Sequence, residues 1–418
     1  MLSPMAPSNP EWLSARAASA RLGVKLATLY AYASRGLITS LPGVGQRGRL
    51  YGSDDIERLR TRHTARSGHG PVAAGALRFG EPVLETRISE VDSGGPRYRG
   101  QSAIDLCRRG VSFERVAELL WTGELPGEAV SAAARSALCC DTRRLWPLLT
   151  GNAALPKMSL LVSALALGDA DRHAASDAAE HARARALLRW LAHAPAARPP
   201  RDLGSDKPIA RTLLETLKAP LTPARITTTD RALVLCAEHE LNASAFAARV
   251  AASTGADLYA CIAAALATLS GSAHGGMCDR VEALLDAIGK PARATRTVRE
   301  WLARGEQIPG FGHPLYAKGD PRGSYLVELA RAQRAKSESA RTAFALLEAM
   351  AQGGHPAPTL DAGLVTLCHC LGLPRGSAAT IFALGRTAGW VAHALEQRAA
   401  GYVLRPRARY VGVPPLAP

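Results

Sequence analysis

The sequence predicts an all-α protein carrying a small helix-turn-helix module at its front, and three observations lead there. Long Ala- and Leu-rich stretches contain few β-branched runs, apolar residues recur at helical spacing, and short Gly- and Pro-containing loops separate the periodic segments. No βαβ alternation and no internal repeat is visible, which argues against a parallel sheet and against a solenoid. At 418 residues the chain is long enough for two or three packed units with ample core.

Residues 1–10, rich in Pro, Ser and Asn, predict a disordered tail, and residues 63–76, rich in Gly, Ala and His without periodicity, predict a linker. Between them Ser14 is placed to cap a short helix ending at Leu22, Gly23 supplies a tight turn, and a second helix carries Leu26, Leu29 and Tyr30. A glycine-rich basic loop with Gly43, Gly45, Arg47, Gly48 and Arg49 reads as a wing, followed by Leu50-Tyr51 and a capped helix from Ser53 to Leu59. The stretches GVKLATLYAYASRGLI and GRLYGSDDIERL resemble the N-terminal DNA-binding domain of MerR-type regulators, over residues 11–62. That resemblance implies Lys25, Thr28, Tyr30, Arg47 and Arg49 as DNA contacts, with Arg16, Arg21 and Arg35 adding phosphate contacts. The second helix offers no Asn, Gln or Arg pair to base edges, so a fold kept for packing stays open as the alternative.

A net charge of +15 suits polyanionic partners, either DNA or a phosphorylated coenzyme, although a GC-rich genome produces the same arginine bias. The eight cysteines show no CxxC spacing, and Cys368-His369-Cys370 are adjacent on a helix and point apart, so reduced thiols and no metal are expected. The first residues lack the basic and apolar regions of a signal peptide, and no apolar run is long enough to cross a bilayer. A cytoplasmic protein is expected, with no membrane partner.

From Leu77 onward helical segments follow one another. Leu258, Ile262, Ala265, Leu266 and Leu269 form one apolar face ahead of Gly271, and Leu384, Ala388, Val391 and Leu395 form another, with Arg386, Trp390 and His393 on a different side. Polar constellations sit at the breaks: Glu238-His239-Glu240-Leu241-Asn242, Gly271 to Gly276 around His274, Pro309 to His313 with Asp320-Pro321-Arg322, and Pro358 to Asp361. A lone histidine in a helical protein is more often a hydrogen-bonded core residue than a catalyst. Glycines beside His274 and His313, however, let the backbone come close to a ligand.

The segments CAEHELNAS, GSAHGG, PGFGHPLYAKGDPR, PTLD and GRTAGWVAHALEQ…RPRARYVG, preceded by YRGQSAIDL and SFERVAELLWTGELP, resemble in the same order the motifs of the citrate synthase family, over residues 77–418. The resemblance implies the all-α citrate synthase fold, with a large subdomain (77–275 and 376–418) and a small one (276–375) that close on each other. It implies condensation of acetyl-CoA, or a similar acyl-CoA, with oxaloacetate to citrate and free CoA, with no metal and no permanently bound cofactor. Enolising a weakly acidic methyl group needs a base and a donor to the enolate oxygen. On the family pattern Asp361 is that base, His274 that donor, and His313 polarises the ketone. His239, Arg322 and Arg386 would bind the oxoacid, and Arg405 would complete the neighbouring site of a homodimer. Ile308, Gly310 and Phe311 would contact CoA.

Each of these arginines could instead be a solvated surface charge. Arg322 follows a turn-forming Asp-Pro, and Arg386 lies one helical turn from Trp390, which favours a built site. Thr359 stands where the family has Asn, Pro314 departs after the third histidine, and Met277-Cys278 replaces Ala-Asn. None of these removes a proton-transfer or carboxylate-binding group. A second reading is a DNA-binding regulator whose enzyme-like body senses a metabolite.

Overall fold

The computed structural model describes residues 12–42, 48–53, 55, 56, 59, 84–128, 146–149, 153–174, 176–196, 207–316, 319–406, 408 and 412. The expected tail (1–10), the linker (63–76) and the loop stretch from Gly43 to Arg47 lie outside these residues. Contacts divide the chain into two compact units, Met1–Thr86 and Arg87–Pro418.

In the N-terminal unit α1 (Ala15–Leu22) begins where the Ser14 side chain accepts a hydrogen bond from the Ala17 N–H, and it ends at Gly23 in the left-handed conformation. α2 (Leu26–Ser34) follows, and strands β1 (Trp12–Ser14), β2 (Ser40–Pro42) and β3 (Arg49–Gly52) form an antiparallel sheet in the order β1-β3-β2. A separate core of Ala18, Leu22, Leu29, Ile38, Tyr51, Ile56 and Leu59 holds these elements together. Of the apolar residues expected on α2, only Leu29 is buried. Leu26 and Tyr30 are 43% and 50% exposed.

The larger unit opens with a second small antiparallel sheet, β4 (Ser89–Asp92), β5 (Gly95–Tyr98) and β6 (Gln101–Ser102). The all-α expectation therefore holds for the body and misses two three-stranded sheets. Their strands are two to four residues long and carry little alternation to read. The Tyr98 hydroxyl, fully buried, donates to the Val234 carbonyl at 2.9 Å and ties this sheet to the end of a core helix.

The helices that position the site are α3 (Ala103–Arg108), α4 (Phe113–Thr122), α5 (Ala154–Gly168), α6 (Asp177–Ala192), α7 (Ile209–Thr216), α8 (Pro223–Cys236), α9 (Ala243–Ser253), α10 (Leu258–Leu269), α11 (Met277–Ile288), α12 (Ala294–Ala303), α13 (Pro321–Ala332), α14 (Glu338–Gln352), α15 (Leu360–Cys370) and α16 (Ser377–Ala400). α16 is buried on every side from Ser377 to Ala394, packing against α8, α9, α10 and α4. Arg386, Trp390 and His393 lie on a different side from the leucine stripe, as expected, yet they too are buried, so α16 is a central helix rather than an amphipathic surface one.

Two glycine contacts bring the helices close enough to build a site. A Cβ on Gly363 of α15 would come 2.7 Å from the Gly323 carbonyl oxygen of α13, and one on Gly389 of α16 would come 2.0 Å from Glu238 Oε2. Alanine in a helix interior is ordinarily more stable than glycine, so both glycines trade propensity for backbone proximity. Among the described residues no helix is long and apolar enough to cross a membrane.

Candidate active site

Four helices begin at one place. α9 starts after Asn242, whose side chain accepts from the Ala245 N–H. α11 starts after His274-Gly275-Gly276, α13 after Asp320, and α15 after Thr359. Their unpaired N–H groups and the positive ends of their dipoles favour anionic groups there. α16 runs alongside and contributes Arg386, which acts electrostatically on His239 and His274.

Arg322, the second residue of α13, is buried and bidentate to the Asp320 carboxylate, Nε to Oδ1 at 3.0 Å and Nη2 to Oδ2 at 2.8 Å. That geometry is the strong form of an arginine–carboxylate pair. Its Nη1 is buried and has no acceptor among the described residues. Arg386 donates its Nε–H to the Cys236 carbonyl at 2.7 Å and stacks its guanidinium 4.9 Å from the Phe382 ring centre. Burial lowers the Arg386 pKa while Glu238 opposes that. Buried guanidinium N–H groups without acceptors are costly unless something else accepts from them.

The three expected histidines converge beside these arginines. His239 and His313 meet edge to face at 5.5 Å between ring centres, and His239 Nε2 lies 2.8 Å from the Tyr316 hydroxyl. Burial, then the charges of Arg322 and Arg386, push the His239 pKa well below the usual imidazole range. His274 is depressed to about 4, by burial first and by Arg386 second. In His313 burial lowers the value, with Asp320 opposing. His313 Nδ1 accepts the Leu315 N–H at 3.2 Å, which leaves its proton on Nε2 as a free donor.

His274 is fixed by a compact polar knot. The Ser244 oxygen receives the Trp390 Nε1–H at 3.0 Å, its hydroxyl donates to Asn242 Oδ1 at 2.7 Å, and His274 Nε2 stands 2.8 Å from the same oxygen. Gly275 is required beside it, since a Cβ there would fall 2.4 Å from the Leu269 side chain.

Asp361 is the second residue of α15. Burial pushes its carboxyl above the usual range, with the Cys278 thiol and Arg322 pulling the other way. The segment of Ile308, Gly310 and Phe311 is clipped to the same loop: the Thr359 N–H donates to the Gly310 carbonyl at 2.8 Å, and Phe311 bridges Pro358. Gly310 has φ of 82°, and a Cβ on it would lie 2.6 Å from Val281. Arg405 is exposed on the C-terminal segment and joins none of the contacts described above. Of the DNA contacts expected from the sequence, Lys25, Tyr30 and Arg49 are exposed, Thr28 is half-buried, and Arg47 lies outside the described residues.

Reading the sequence missed the groups that brace the site. Glu238 is fully buried, with Oε1 accepting from Ser89 Oγ at 3.1 Å and lying 3.1 Å from His393 Nε2. Burial raises its pKa, but His393 and Arg386 outweigh this and the net shift is downward. Tyr316, Tyr98, Ser244 and Asp320 were likewise not singled out for these roles. Glu238 adjoins His239 in a polar constellation, which was a usable signal. Tyr98 opens the YRGQSAIDL segment, which gives it no role, and nothing marks Ser89. Among the described residues no group of His, Cys, Asp and Glu is arranged to hold a metal ion.

The arrangement suits a small anion with several acceptor atoms, held by arginine and neutral imidazole donors, next to a carboxylate of raised basicity. The family sequence model described as "Citrate synthase, C-terminal domain" matches residues 78–407. The chain is 33% identical over 352 residues to 2-methylcitrate synthase of Mycobacterium tuberculosis, covering 80% of this chain and 89% of that one. It is 33% identical over 362 residues to citrate synthase of Haloferax volcanii, covering 79% and 93%. Among solved structures it resembles the ternary complex of carboxymethyl coenzyme A and oxaloacetate with citrate synthase from Thermoplasma acidophilum. There the TM-score is 0.66 at 26% identity, over 82% of this chain and 97% of that chain. Citrate synthase from Thermotoga maritima gives a TM-score of 0.64 at 26% identity, over 81% and 96%.

The depressed histidines carry a pH consequence. In the unfolded chain they take up protons below about 6.5, whereas in the folded protein His274 refuses one until about pH 4. Unfolding therefore takes up protons in that window, and stability falls as pH drops through it. Urea unfolding should show a midpoint that declines from pH 7 to pH 5, with part of the decline removed by His274→Gln. A midpoint equal at both pH values would contradict neutral imidazoles in the folded state.

Proposed function

The chain belongs to the citrate synthase family, and from that premise we propose that it condenses acetyl-CoA, or a similar acyl-CoA, with oxaloacetate to give citrate and free CoA. It is an acyltransferase of the citrate synthase type. The observation that carries the substrate reading is the buried Arg322 Nη1, a donor without an acceptor among the described residues, with the buried Arg386 and the neutral His239 and His313 beside it. A 2-oxo dicarboxylate supplies acceptors to both guanidinium groups and a ketone oxygen to an imidazole N–H.

In this reading Asp361 takes a proton from the carbon next to the thioester, and the electron pair moves onto the thioester oxygen. His274 donates a hydrogen bond to that oxygen. For this the Ser244 hydroxyl turns its single proton to Nε2, leaving the Nδ1–H as donor. A neutral imidazole is the better donor here, since its proton is not lost to the enolate. The Nε2–H of His313 polarises the ketone of the oxoacid. As the enolate carbon bonds to the ketone carbon, the C=O electron pair moves onto its oxygen, and the alkoxide takes a proton to become the hydroxyl, matching the one that Asp361 removed. His239, Arg322 and Arg386 hold the carboxylates. Water then cleaves the thioester, releasing CoA and a third carboxylate.

Ile308, Gly310 and Phe311 contact the coenzyme in this reading. Their attachment to the Pro358–Asp361 loop would link coenzyme binding to the base. Arg405 acts on the site of a neighbouring subunit in a homodimer, which suits its exposure in the single chain. A small subdomain of 276–375 closes on the rest and excludes water during the enolate step.

The N-terminal unit supports a second role. It has its own core, and Lys25, Tyr30 and Arg49 are exposed on it, as DNA contacts would need to be. A dimer would offer such units to paired half-sites.

Thiol release from a panel of acyl-CoAs with oxaloacetate tests the first role. Turnover with acetyl-CoA or propionyl-CoA is expected, and absence of thiol release from every acyl-CoA would refute it. The preference between those acyl groups should be modest, because one methylene changes discrimination by roughly 10–200-fold. For the second role, the protein should retard upstream DNA fragments in the presence of competitor, with affinity falling steeply as salt rises. No retardation at low salt would remove the DNA reading.

A further inference from the structure

The two sequence departures that flank the proposed base meet on the same carboxylate. Cys278, second in α11, donates its thiol to Asp361 Oδ1 at 3.4 Å, and Thr359, immediately before α15, donates its hydroxyl to Oδ2 at 3.3 Å. These are the positions at which the citrate synthase motifs carry asparagine, after HGG and two residues before the aspartate. We propose that Cys278 and Thr359 are positioning residues that fix the plane of the Asp361 carboxylate from either side, as a pair of weak donors that leave its basicity high. This rests on Asp361 being the base.

The chemistry of the donors supports the role. A thiol is a weak donor, and a hydroxyl at 3.3 Å is beyond the usual O–H···O range of about 2.5–3.0 Å. Hydrogen bonds to a carboxylate favour its ionised form and weaken it as a base, the more so the stronger they are. A stronger donor on each oxygen would hold the plane equally well but would drain charge from the atoms that must take the proton. Burial and the adjacent carboxylate push the Cys278 thiol well up, so it stays protonated and available as a donor rather than acting as a nucleophile. The other charged and titratable groups acting around Asp361 are Arg322 and Asp320 at the start of α13, and Cys236 at the end of α8. Arg322 lowers the proton affinity of Asp361 and Asp320 raises it. Cys236 is neutral through burial, its thiol pushed up to about 12. The two donors therefore act as a fine adjustment on a carboxylate whose basicity is set mainly by its surroundings.

The test compares the pH dependence of kcat/KM in Thr359→Val, Cys278→Ala and the double variant with the parent enzyme. Thr359→Ser serves as the variant that keeps the hydroxyl. Loss of a donor disfavours the ionised carboxylate, so the acid limb should move to higher pH by roughly half a unit for each, on the order of one weak hydrogen bond. kcat should fall several-fold, and the KM for oxaloacetate should hold, since neither side chain is proposed to touch it. Thr359→Ser should keep the parent profile, and Cys278→Asn combined with Thr359→Asn should move the limb to lower pH. An acid limb unmoved in Thr359→Val and Cys278→Ala, with rates falling only as thermal stability falls, would overturn the proposal and leave the two as packing residues. Asp361→Asn separates the layers. Full turnover in that variant would overturn the assignment of the base, whereas abolished turnover beside unmoved limbs would overturn only the positioning role.

Discussion

The larger unit is organised around two guanidinium groups taken out of water. Burying a cation is expensive, and the protein offsets it for Arg322 with a bidentate carboxylate and for Arg386 with a backbone carbonyl and an aromatic face. Arg322 Nη1 is left without an acceptor among the described residues, and an anionic ligand is the partner proposed for it. The same cations help keep His239 and His274 neutral, which turns their imidazoles into hydrogen-bond donors rather than extra charges. The chemistry proposed for the site needs that state.

Holding such groups together places demands on the backbone. α13 and α15 approach through Gly323 and Gly363, and their first turns then deliver Arg322 and Asp361 to one place. Gly389 lets the Glu238 carboxylate lie against α16, where Ser89 and His393 share its Oε1. Glu238 adjoins His239, so this buried junction also sets where the first histidine stands. α16, buried through most of its length, supplies Arg386 beside His239 and His274, His393 to the Glu238 junction and Trp390 to the Ser244 knot.

Much of this was readable in advance, for a physical reason. His274, Arg322 and Asp361 lie at helix starts, and helix starts are marked by Gly, Pro and capping residues. His274 before two glycines, Arg322 after Asp-Pro and Asp361 after Pro358-Thr359 were therefore visible as breaks in the apolar periodicity. The Ser14 cap and the Gly23 turn were visible on the same grounds. What stayed hidden depends on partners distant in sequence: Tyr98 reaches Val234, Ser89 reaches Glu238, and Trp390 reaches Ser244. Local pattern carries no record of such closures. The short strands were hidden for the related reason that two to four residues hold no usable period. Leu26 and Tyr30 were grouped with Leu29 as carried by one helix, yet only Leu29 faces the small core.

Arg322, with its unsatisfied Nη1, and the neighbouring Arg386 are proposed to define a site for a dicarboxylate carrying a ketone. Calorimetric titration of the full-length protein with oxaloacetate and with pyruvate, without any acyl-CoA, tests it most directly, because pyruvate keeps the ketone and one carboxylate and lacks the other. Saturable binding of oxaloacetate, with pyruvate weaker by at least about two orders of magnitude, on the scale of one buried charged hydrogen-bonded pair, is the predicted result. Equal affinity for the two, or no binding of oxaloacetate, would contradict it.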